Sequence, residues 1–337
     1  MLSIDETLAR LSTVPHLQIS RNESLSRHTR FELGGPALLF VDTDVEDSFV
    51  SALRIVEKGE LPWLVIGLGT NLIVSDAGFA GVVLRYRGAA MSADGLKARV
   101  QAGAVLQDLV DFTASRGMRG LESMTGIPGN VGAAIYGNAG AYGSSMSDVV
   151  AAVRYYTGGQ VHETDARGCE FRYRGSVFKQ RRLAGEAWLI LSAELQFSEG
   201  DAAALVAKAG EILAVRNEKY PPTMKCAGSI FKNLHEAELP PTVRAQVPDK
   251  VVREGKIPAA WFLEQVGAKD SWEGRIHIAP YHANLIYNAG GATAKELCRM
   301  IARLKSAVHA RFGIFLEEEV QYVGFEGSAE SDDAAAS

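Results

Sequence analysis

The sequence predicts an α+β protein of more than one domain, and three observations carry that expectation. Its 337 residues exceed what one ordinary core needs and suffice for two or three domains. Near the start, a strand at Ala37 to Val41, a helix after Asp44 and a short apolar strand at Leu64 to Ile66 follow the βαβ rhythm. Further on, strands at Val149 to Thr157 and Gln160 to Thr164 flank the turn Gly158-Gly159 and read as a hairpin, with a long helical pattern from Ala202 to about Glu218 beyond them.

The first ten residues read as an amphipathic helix with early acids, unlike a signal peptide. Gly34-Gly35-Pro36 is a turn before the first strand. The helix after Asp44 carries Glu46 and Asp47 in its first turn, where the helix dipole favours them. Gly67-Leu-Gly-Thr-Asn then invites a dinucleotide-fold reading. Leu72, however, stands where the third glycine of G-x-G-x-x-G belongs, and apolar residues run on through Val74 to the Gly78 turn and a strand at Val82 to Leu84. What survives is a turn whose main-chain N–H groups, with Thr70 and Asn71 as side-chain donors, form a nest for an anion. No P-loop exists, since Gly255-Lys256 is followed by Ile257.

A strand ends at Val100, and residues 104 to 116 read as a helix with Val105, Leu109 and Phe112 inward. Another strand spans Trp188 to Phe197. The helix from Ala202 turns Leu205, Ala209, Ile212 and Leu213 to one side, stops at Tyr220-Pro-Pro, and places a domain boundary near residue 200. The expected domains are therefore 1–87, 88–200 and 201–325, with a disordered acidic tail at 326–337. Pro258 opens a helix that ends at Gly267. Tyr281 to Asn288 reads as a strand, Thr293 and Glu296 as the capping box of a helix to Phe312, and Gly313 as its terminator. In the final strand, Ile314 to Val323, alternation puts Leu316, Glu318, Val320 and Tyr322 on one side and Glu317, Glu319 and Gln321 on the other. One of those carboxylates faces a site, or all three acids lie exposed on an edge strand.

Met124 to Gly143 is the stretch around which the rest is arranged. Glycines fall at 126, 129, 132, 137, 140 and 143, and no charge interrupts them. Such a segment lets backbone approach a large, flat, partly apolar ligand with an anionic section. Pro128 is a turn or helix-start residue, and Asn130 to Tyr136 reads as a short helix whose N-terminus points at negative charge. The alternative is a glycine-rich loop and buried helix with no ligand. Phe171-Arg-Tyr-Arg-Gly-Ser-Val-Phe-Lys has the composition of an anion-binding loop, or of a loop whose arginines face solvent. Cys226-Ala-Gly-Ser-Ile-Phe-Lys-Asn sets a flexible approach beside hydroxyl, amine and amide groups.

Composition removes several classes. A 47% hydrophobic, 22% charged chain with net charge -5 is an ordinary soluble composition without the basic face of a general nucleic-acid binder. No apolar run reaches membrane-spanning length, so a cytoplasmic location and no membrane partner are expected. Cys169, Cys226 and Cys298 are odd in number and widely spaced, which gives neither a disulfide framework nor a zinc spacing, and no metal is expected.

Six pieces taken together resemble the UDP-N-acetylenolpyruvoylglucosamine reductase family: Gly67-Leu-Gly-Thr-Asn-Leu, Gly126-Ile-Pro-Gly-Asn-Val-Gly, Asn138-Ala-Gly-Ala-Tyr-Gly, the Phe171 to Lys179 run, Gly228-Ser-Ile-Phe-Lys-Asn and His282-Ala-Asn-Leu-Ile, closed by Leu316-Glu-Glu-Glu-Val. The resemblance implies an FAD-binding part of two α/β subdomains, of the vanillyl-alcohol oxidase type, and a C-terminal α/β substrate domain. It also implies NADPH as reductant and a UDP-sugar enolpyruvyl ether as substrate, reduced to UDP-N-acetylmuramate in peptidoglycan synthesis. By motif position it places FAD on Gly67, Leu68, Gly69, Thr70, Asn71, Leu72, Thr125, Gly126, Pro128, Gly129, Gly132, Asn138, Gly140 and Ala141. Arg174 becomes the cationic stabiliser, Ser229 the proton donor and Glu319 the acid beside the substrate carboxylate; Lys232 or Lys219 would activate the serine. Tyr173, Arg216, Lys219, Lys232, Asn233 and His282 take the substrate or its nucleotide. A monomer is expected.

The chain also departs from the pattern. Between Lys179 and Trp188 there is no room for the extra tyrosine-bearing loop of one family branch, so it resembles the branch lacking it. His28 and Thr70 stand where asparagine and serine are expected, and residues 234–257 fit no motif. The alternative reading is another FAD-dependent oxidase or dehydrogenase of the same fold. Such enzymes often tether FAD through histidine or cysteine, and neither occurs at an obvious tethering position here. A non-catalytic nucleotide-binding protein is the third reading.

Overall fold

The computed structural model describes residues 3–59 and 61–325, so the expected tail lies outside the described residues. The chain divides into two units. One comprises residues 1–23, 37–68 and 80–222; the other comprises 24–36, 69–79 and 223–337.

The first unit holds two sheets. In the four-stranded sheet the order is Gln18–Ser24, Pro36–Thr43, Phe79–Tyr86, Trp63–Ile66. Trp63–Ile66 runs parallel to Phe79–Tyr86, with Trp63 opposite Val82, and the expected strand–helix–strand run is Pro36–Thr43, Glu46–Glu57, Trp63–Ile66. The connecting helix, Glu46–Glu57, starts one residue after Val45 with no side-chain cap, and its buried Phe49, Leu53 and Val56 meet Leu39, Val41, Val82 and Leu84 of the sheet. Each such side chain contributes about 1.5–3 kcal/mol when fully buried.

The second sheet is antiparallel, ordered Gln160–Asp165, Val150–Thr157, Leu189–Gln196, Lys97–Gln101, Met91–Asp94. Its hairpin pairs Thr157 with Gln160 across Gly158-Gly159, both at positive φ, as the sequence predicts. Helices Leu106–Ala114 and Val131–Tyr136 share its core through Leu106, Leu109, Val110, Val131 and Ile135. The expected inward stripe holds at Leu109, and Phe112 packs partly buried against the core, but Val105 does not belong to it. Val105 is the N-cap and is exposed, and the buried face is Leu106, Leu109, Val110 and Thr113, because the helix begins later than 104.

Helix Ala202–Lys219 buries Leu205, Ala209 and Ile212 as expected and stops at Tyr220. It groups with this unit, whereas the expected boundary falls before it. Leu213 explains the grouping, since its Cδ1 lies 3.2 Å from where a Cβ on Gly126 would stand.

The second unit is built on helix Ala294–Phe312. Thr293 and Glu296 form the predicted capping box, and Gly313 ends the helix at φ 67. The carboxylate of Asp76 accepts from the first-turn amides of Ala294 at 2.8 Å and Lys295 at 3.0 Å, a second N-terminal cap from a distant segment. The apolar face of the helix, Leu297, Met300, Ile301, Leu304, Val308 and Phe312, has the spacing of an amphipathic helix. Phe312 meets Phe262 of helix Ala259–Gln265 edge to face at 5.3 Å. A three-stranded antiparallel sheet, Trp272–Glu273, Ile276–Ile278, Ile286–Asn288, completes the layer.

Two expected strands are shorter than the sequence suggests. Only Ile286–Asn288 of the 281–288 stretch is strand, because Ala279 to Leu285 closes as a turn: the Ala279 N–H donates to the Leu285 carbonyl at 2.9 Å and the Leu285 N–H to His282 at 3.0 Å. Likewise only Gln321–Val323 of the final stretch is strand, parallel to Leu72–Val74. Residues 317–319 instead bond to 230–232, so the segment changes partner near Val320. The alternation survives all the same, with Leu316 and Val320 buried and Glu317 exposed.

Residues 234–257 close on themselves. Leu234–His235 pairs antiparallel with Lys256–Ile257, and Arg244 ties the loop by donating to Glu236 at 3.0 Å, Asp249 at 2.7 Å and the Val247 carbonyl at 3.0 Å. Among the described residues, no helix is long and apolar enough to cross a membrane.

Candidate active site

In the first unit, the glycine-rich stretch is shaped mainly by protein. The expectation that the helix after Asn130 aims free amides at negative charge does not hold. Val131 and Gly132 donate to the carbonyls of Ala104 and Ala102, both at 2.8 Å, and Ala133 donates to Asn130 Oδ1 at 3.2 Å. Both carbonyls lie in the loop between strand Lys97–Gln101 and helix Leu106–Ala114, and this loop uses up the helix's first-turn donors. Glycine is required at 67 because a Cβ there would stand 2.5 Å from Asn130 Oδ1.

Gly126, at φ 76, donates its N–H to Gln107 Oε1 at 2.7 Å. Arg216 crosses it, with Cδ 3.2 Å and Nε 3.3 Å from where a Cβ would be. That Nε is buried and has no hydrogen-bond partner among the described residues. Burial lowers the Arg216 pKa and nearby Arg174 adds to the effect, while Tyr220 and Tyr142 oppose it. A half-buried guanidinium beside a second one, with a donor unused, suits an anionic ligand over the glycine stretch. These residues therefore fit a phosphate-bearing ligand, which FAD and a UDP-sugar both are.

Arg174 sits at the tip of a tight turn in which Arg172 and Gly175 bond reciprocally at 3.0 and 3.1 Å, and its φ is 54. Its guanidinium donates to the Gly140 carbonyl at 3.2 Å and lies 5.3 Å from the Tyr173 ring centre. Lys179 Nζ bonds the Arg174 carbonyl at 3.1 Å. Asn138 holds the turn from below, donating to the Arg172 carbonyl at 3.1 Å and accepting from Ser147 N–H at 3.0 Å. The Phe171 to Lys179 run is thus a fixed platform for Arg174, and the solvent-facing reading of this arginine fails. Tyr142, at φ 52 and exposed, lies close enough to Arg216 to favour its charge, and no signal in the sequence singles it out within the Asn138 to Gly143 motif.

In the second unit, Gly69, at φ 60, packs on residues 28 to 30. A Cβ there would lie 1.9 Å from the His28 carbonyl, and Arg30 N–H donates to the Gly69 carbonyl at 3.1 Å. Asn71 commits its side-chain amide to the Glu319 carbonyl at 2.9 Å, and its own carbonyl accepts from Gln321 N–H at 3.0 Å.

Ser229 and Glu319 are brought together by main chain. Glu319 N–H donates to the Ile230 carbonyl at 2.7 Å, and Lys232 N–H to the Glu317 carbonyl at 2.9 Å. The Lys232 ammonium bonds Glu317, which weakens its case as the activator of Ser229. Glu318 turns inward to Lys305 at 3.1 Å, both side chains largely buried. Asn233 Oδ1 accepts from Ala259 N–H at 3.3 Å, a cap for the following helix. His282 occupies the tight turn before Ile286. Asn284, two residues on, was missed: it bonds both main-chain groups of Phe231.

The fold and these two residue groups define a protein of the FAD-binding oxidoreductase class, and residues 37–165 match the FAD binding domain family. Residues 220–323 match the C-terminal domain of UDP-N-acetylenolpyruvoylglucosamine reductase. The chain is 56% identical over 315 residues to the enzyme of that name from Solibacter usitatus (strain Ellin6076), covering 94% of this chain and 100% of the relative. To the counterpart from Anoxybacillus flavithermus (strain DSM 21510 / WK1) it is 34% identical, over 91% of this chain and 94% of the relative. The crystal structure of the Thermus caldophilus enzyme aligns with a TM-score of 0.71 at 27% identity, covering 91% of this chain and 99% of that one. The chain belongs to the UDP-N-acetylenolpyruvoylglucosamine reductase family.

Proposed function

We propose that the protein reduces the enolpyruvyl ether of UDP-N-acetylglucosamine to UDP-N-acetylmuramate, with NADPH as reductant, as a cytoplasmic monomer in peptidoglycan synthesis. The observation that carries this reading is the pair of fixed cationic and acidic groups on the motif positions: Arg174 on its platform in one unit, Ser229 and Glu319 joined through Ile230 in the other. When bound, FAD supplies the hydride relay between NADPH and the terminal vinyl carbon. The loop Gly67 to Leu72 and the stretch from Thr125 to Ala141 would hold it.

The chain's own residues then manage charge and a proton. Hydride addition turns the vinyl terminus into a methyl group and leaves an electron pair on the carbon bearing the ether oxygen, delocalised into its carboxylate. Arg174 stabilises that charge, a contribution whose removal costs on the order of 10²–10³ in rate. Ser229 Oγ gives its proton to the carbon and is reprotonated from solvent. Glu319 positions the substrate carboxylate or a water. Tyr173, Arg216, Lys219, Lys232, Asn233 and His282 would grip the UDP part or the carboxylate.

The test is anaerobic product analysis: the purified yellow protein, NADPH and the UDP-linked enolpyruvyl ether should give UDP-N-acetylmuramate, with NADPH consumed beyond one equivalent per flavin only when the ether is present. Oxidation of small alcohols or sugars, with the ether ignored, would support the related flavin oxidase reading instead.

A further inference from the structure

Asn284 is 2% exposed and lies in a chain of apolar residues, so its carboxamide is fully withdrawn from water. Its Oδ1 accepts from Phe231 N–H at 2.9 Å and its Nδ2 donates to the Phe231 carbonyl at 2.8 Å. Its main-chain carbonyl accepts from Ile230 N–H at 3.2 Å, and the neighbouring Leu285 bridges Ser229. One residue therefore satisfies three of the four main-chain polar groups of Ile230 and Phe231, which follow the proposed proton donor. On the other side, the Ile230 carbonyl accepts from Glu319 N–H at 2.7 Å. Ile230 and Phe231 are thus held between Asn284 and the acidic segment, with Ser229 at one end.

A side-chain amide is an unusual substitute for a strand here. A neighbouring strand would bond Phe231 through main chain and would have to lie alongside Ser229 as well. The carboxamide reproduces those two bonds from a turn whose main chain meets this segment only at the Ser229–Leu285 bridge and the Ile230 N–H. Leaving the two Phe231 groups unpaired in the core would cost the full desolvation of each.

We infer that Asn284 is a positioning residue for proton delivery: it fixes the Ile230–Phe231 backbone and through it the placement of Ser229 relative to Glu319. This rests on the proposed reaction. A displacement of about 1 Å at a reacting group is enough to cost on the order of 10²-fold in rate.

The test uses the FAD-loaded full chain and two half-reactions followed anaerobically: flavin reduction by NADPH, and flavin reoxidation by the enolpyruvyl ether. Asn284→Ala should slow reoxidation by roughly 10–100-fold and leave reduction within about 2-fold. It should raise the solvent deuterium isotope effect on reoxidation and speed hydrogen exchange at the Phe231 and Glu319 amides. Asn288→Ala is the control. Asn288 is equally buried and bonds the Phe31 carbonyl, Gly290 N–H and Ala292 N–H, so it should cost similar thermal stability without changing the ratio of the two half-reactions. Asn284→Ser serves if the alanine variant does not fold. Equal slowing of both half-reactions, unchanged reoxidation, or unchanged amide exchange overturns the inference. Loss of folded protein from both Asn284 variants while Asn288→Ala folds assigns Asn284 to the core and also overturns it. If the wild-type protein is itself not reoxidised by the ether, the proposed reaction fails, while the exchange result still reports on the clamp.

Discussion

The amide of Glu319 donates to the carbonyl of Ile230 at 2.7 Å, which sets the acid one residue away from Ser229 by main chain alone. The two side chains proposed to complete the reduction are thus held in register by a hydrogen bond that neither side chain makes. Ser229→Ala should then slow reoxidation of the flavin by the enolpyruvyl ether by about 10²–10⁴-fold, the usual contribution of a general acid, and leave reduction by NADPH intact. Rapid-mixing measurements of each half-reaction decide it, and an equal loss in both removes Ser229 from the acid role.

Arg216 is half-buried, with its Nε donor buried and unused and a second guanidinium nearby. Arg216→Met should not lower the thermal midpoint of the ligand-free protein, since it removes a desolvated charge. It should weaken binding of the UDP-linked substrate by roughly 10–100-fold, the loss of one charge-assisted hydrogen bond. Calorimetric titration and a melting curve measure both; a lower midpoint with unchanged affinity would make Arg216 a structural residue.

The acidic triplet should divide by burial. Lys305 and Glu318 have side chains 12% and 16% exposed, so Lys305→Met leaves a buried carboxylate without its cation and should cost about 3–5 kcal/mol in urea unfolding. Glu317 is 74% exposed, and Glu317→Gln should cost no more than about 1 kcal/mol. Similar costs for the two would contradict the assignment of Glu318 to the interior.

Burial raises the Tyr322 phenol, and the adjacent Glu318, which also accepts its hydrogen bond, raises it further. The folded state therefore keeps this proton to higher pH than the unfolded chain, whose tyrosines titrate near about 10. The resulting stability is complete below that pH and is lost as pH rises toward the folded value. Tyr322→Phe should flatten the alkaline fall in unfolding free energy while costing about 1 kcal/mol at neutral pH. An unchanged alkaline slope would show that other groups set it.

Gly69 lies at φ 60 against the His28 carbonyl, with no room for a methyl group. Gly69→Ala should expel the loop from that seat and give protein that purifies with little flavin. Full yellow colour in this variant would remove the loop from the cofactor site.

Much of this was legible in the residues. The βαβ start, the Gly158-Gly159 hairpin, the Thr293–Glu296 capping box and the Gly313 stop are local signals, and the structure contains each. Failures occurred mainly where distant segments supply partners. The first-turn amides of Val131 and Gly132 go to Ala104 and Ala102, which no local pattern announces. The partner change near Val320 shortened one expected strand through contacts remote in sequence, whereas the turn from Ala279 to Leu285 shortened another through bonds at most six residues apart. At the site, Arg174, Ser229 and Glu319 were named from motif order. Asn284 stood inside a quoted motif unremarked, because its role is carried by main-chain groups of Phe231, fifty-three residues earlier. An asparagine within an otherwise apolar run was the available signal.

The central claim is tested most directly by one anaerobic experiment on the wild-type protein. NADPH is added until the flavin absorbance is bleached, the excess is removed, and the UDP-linked enolpyruvyl ether is introduced. Return of the yellow absorbance, with one lactyl ether formed per flavin reoxidised, is the predicted result. Flavin that stays bleached in the presence of the ether would contradict the account.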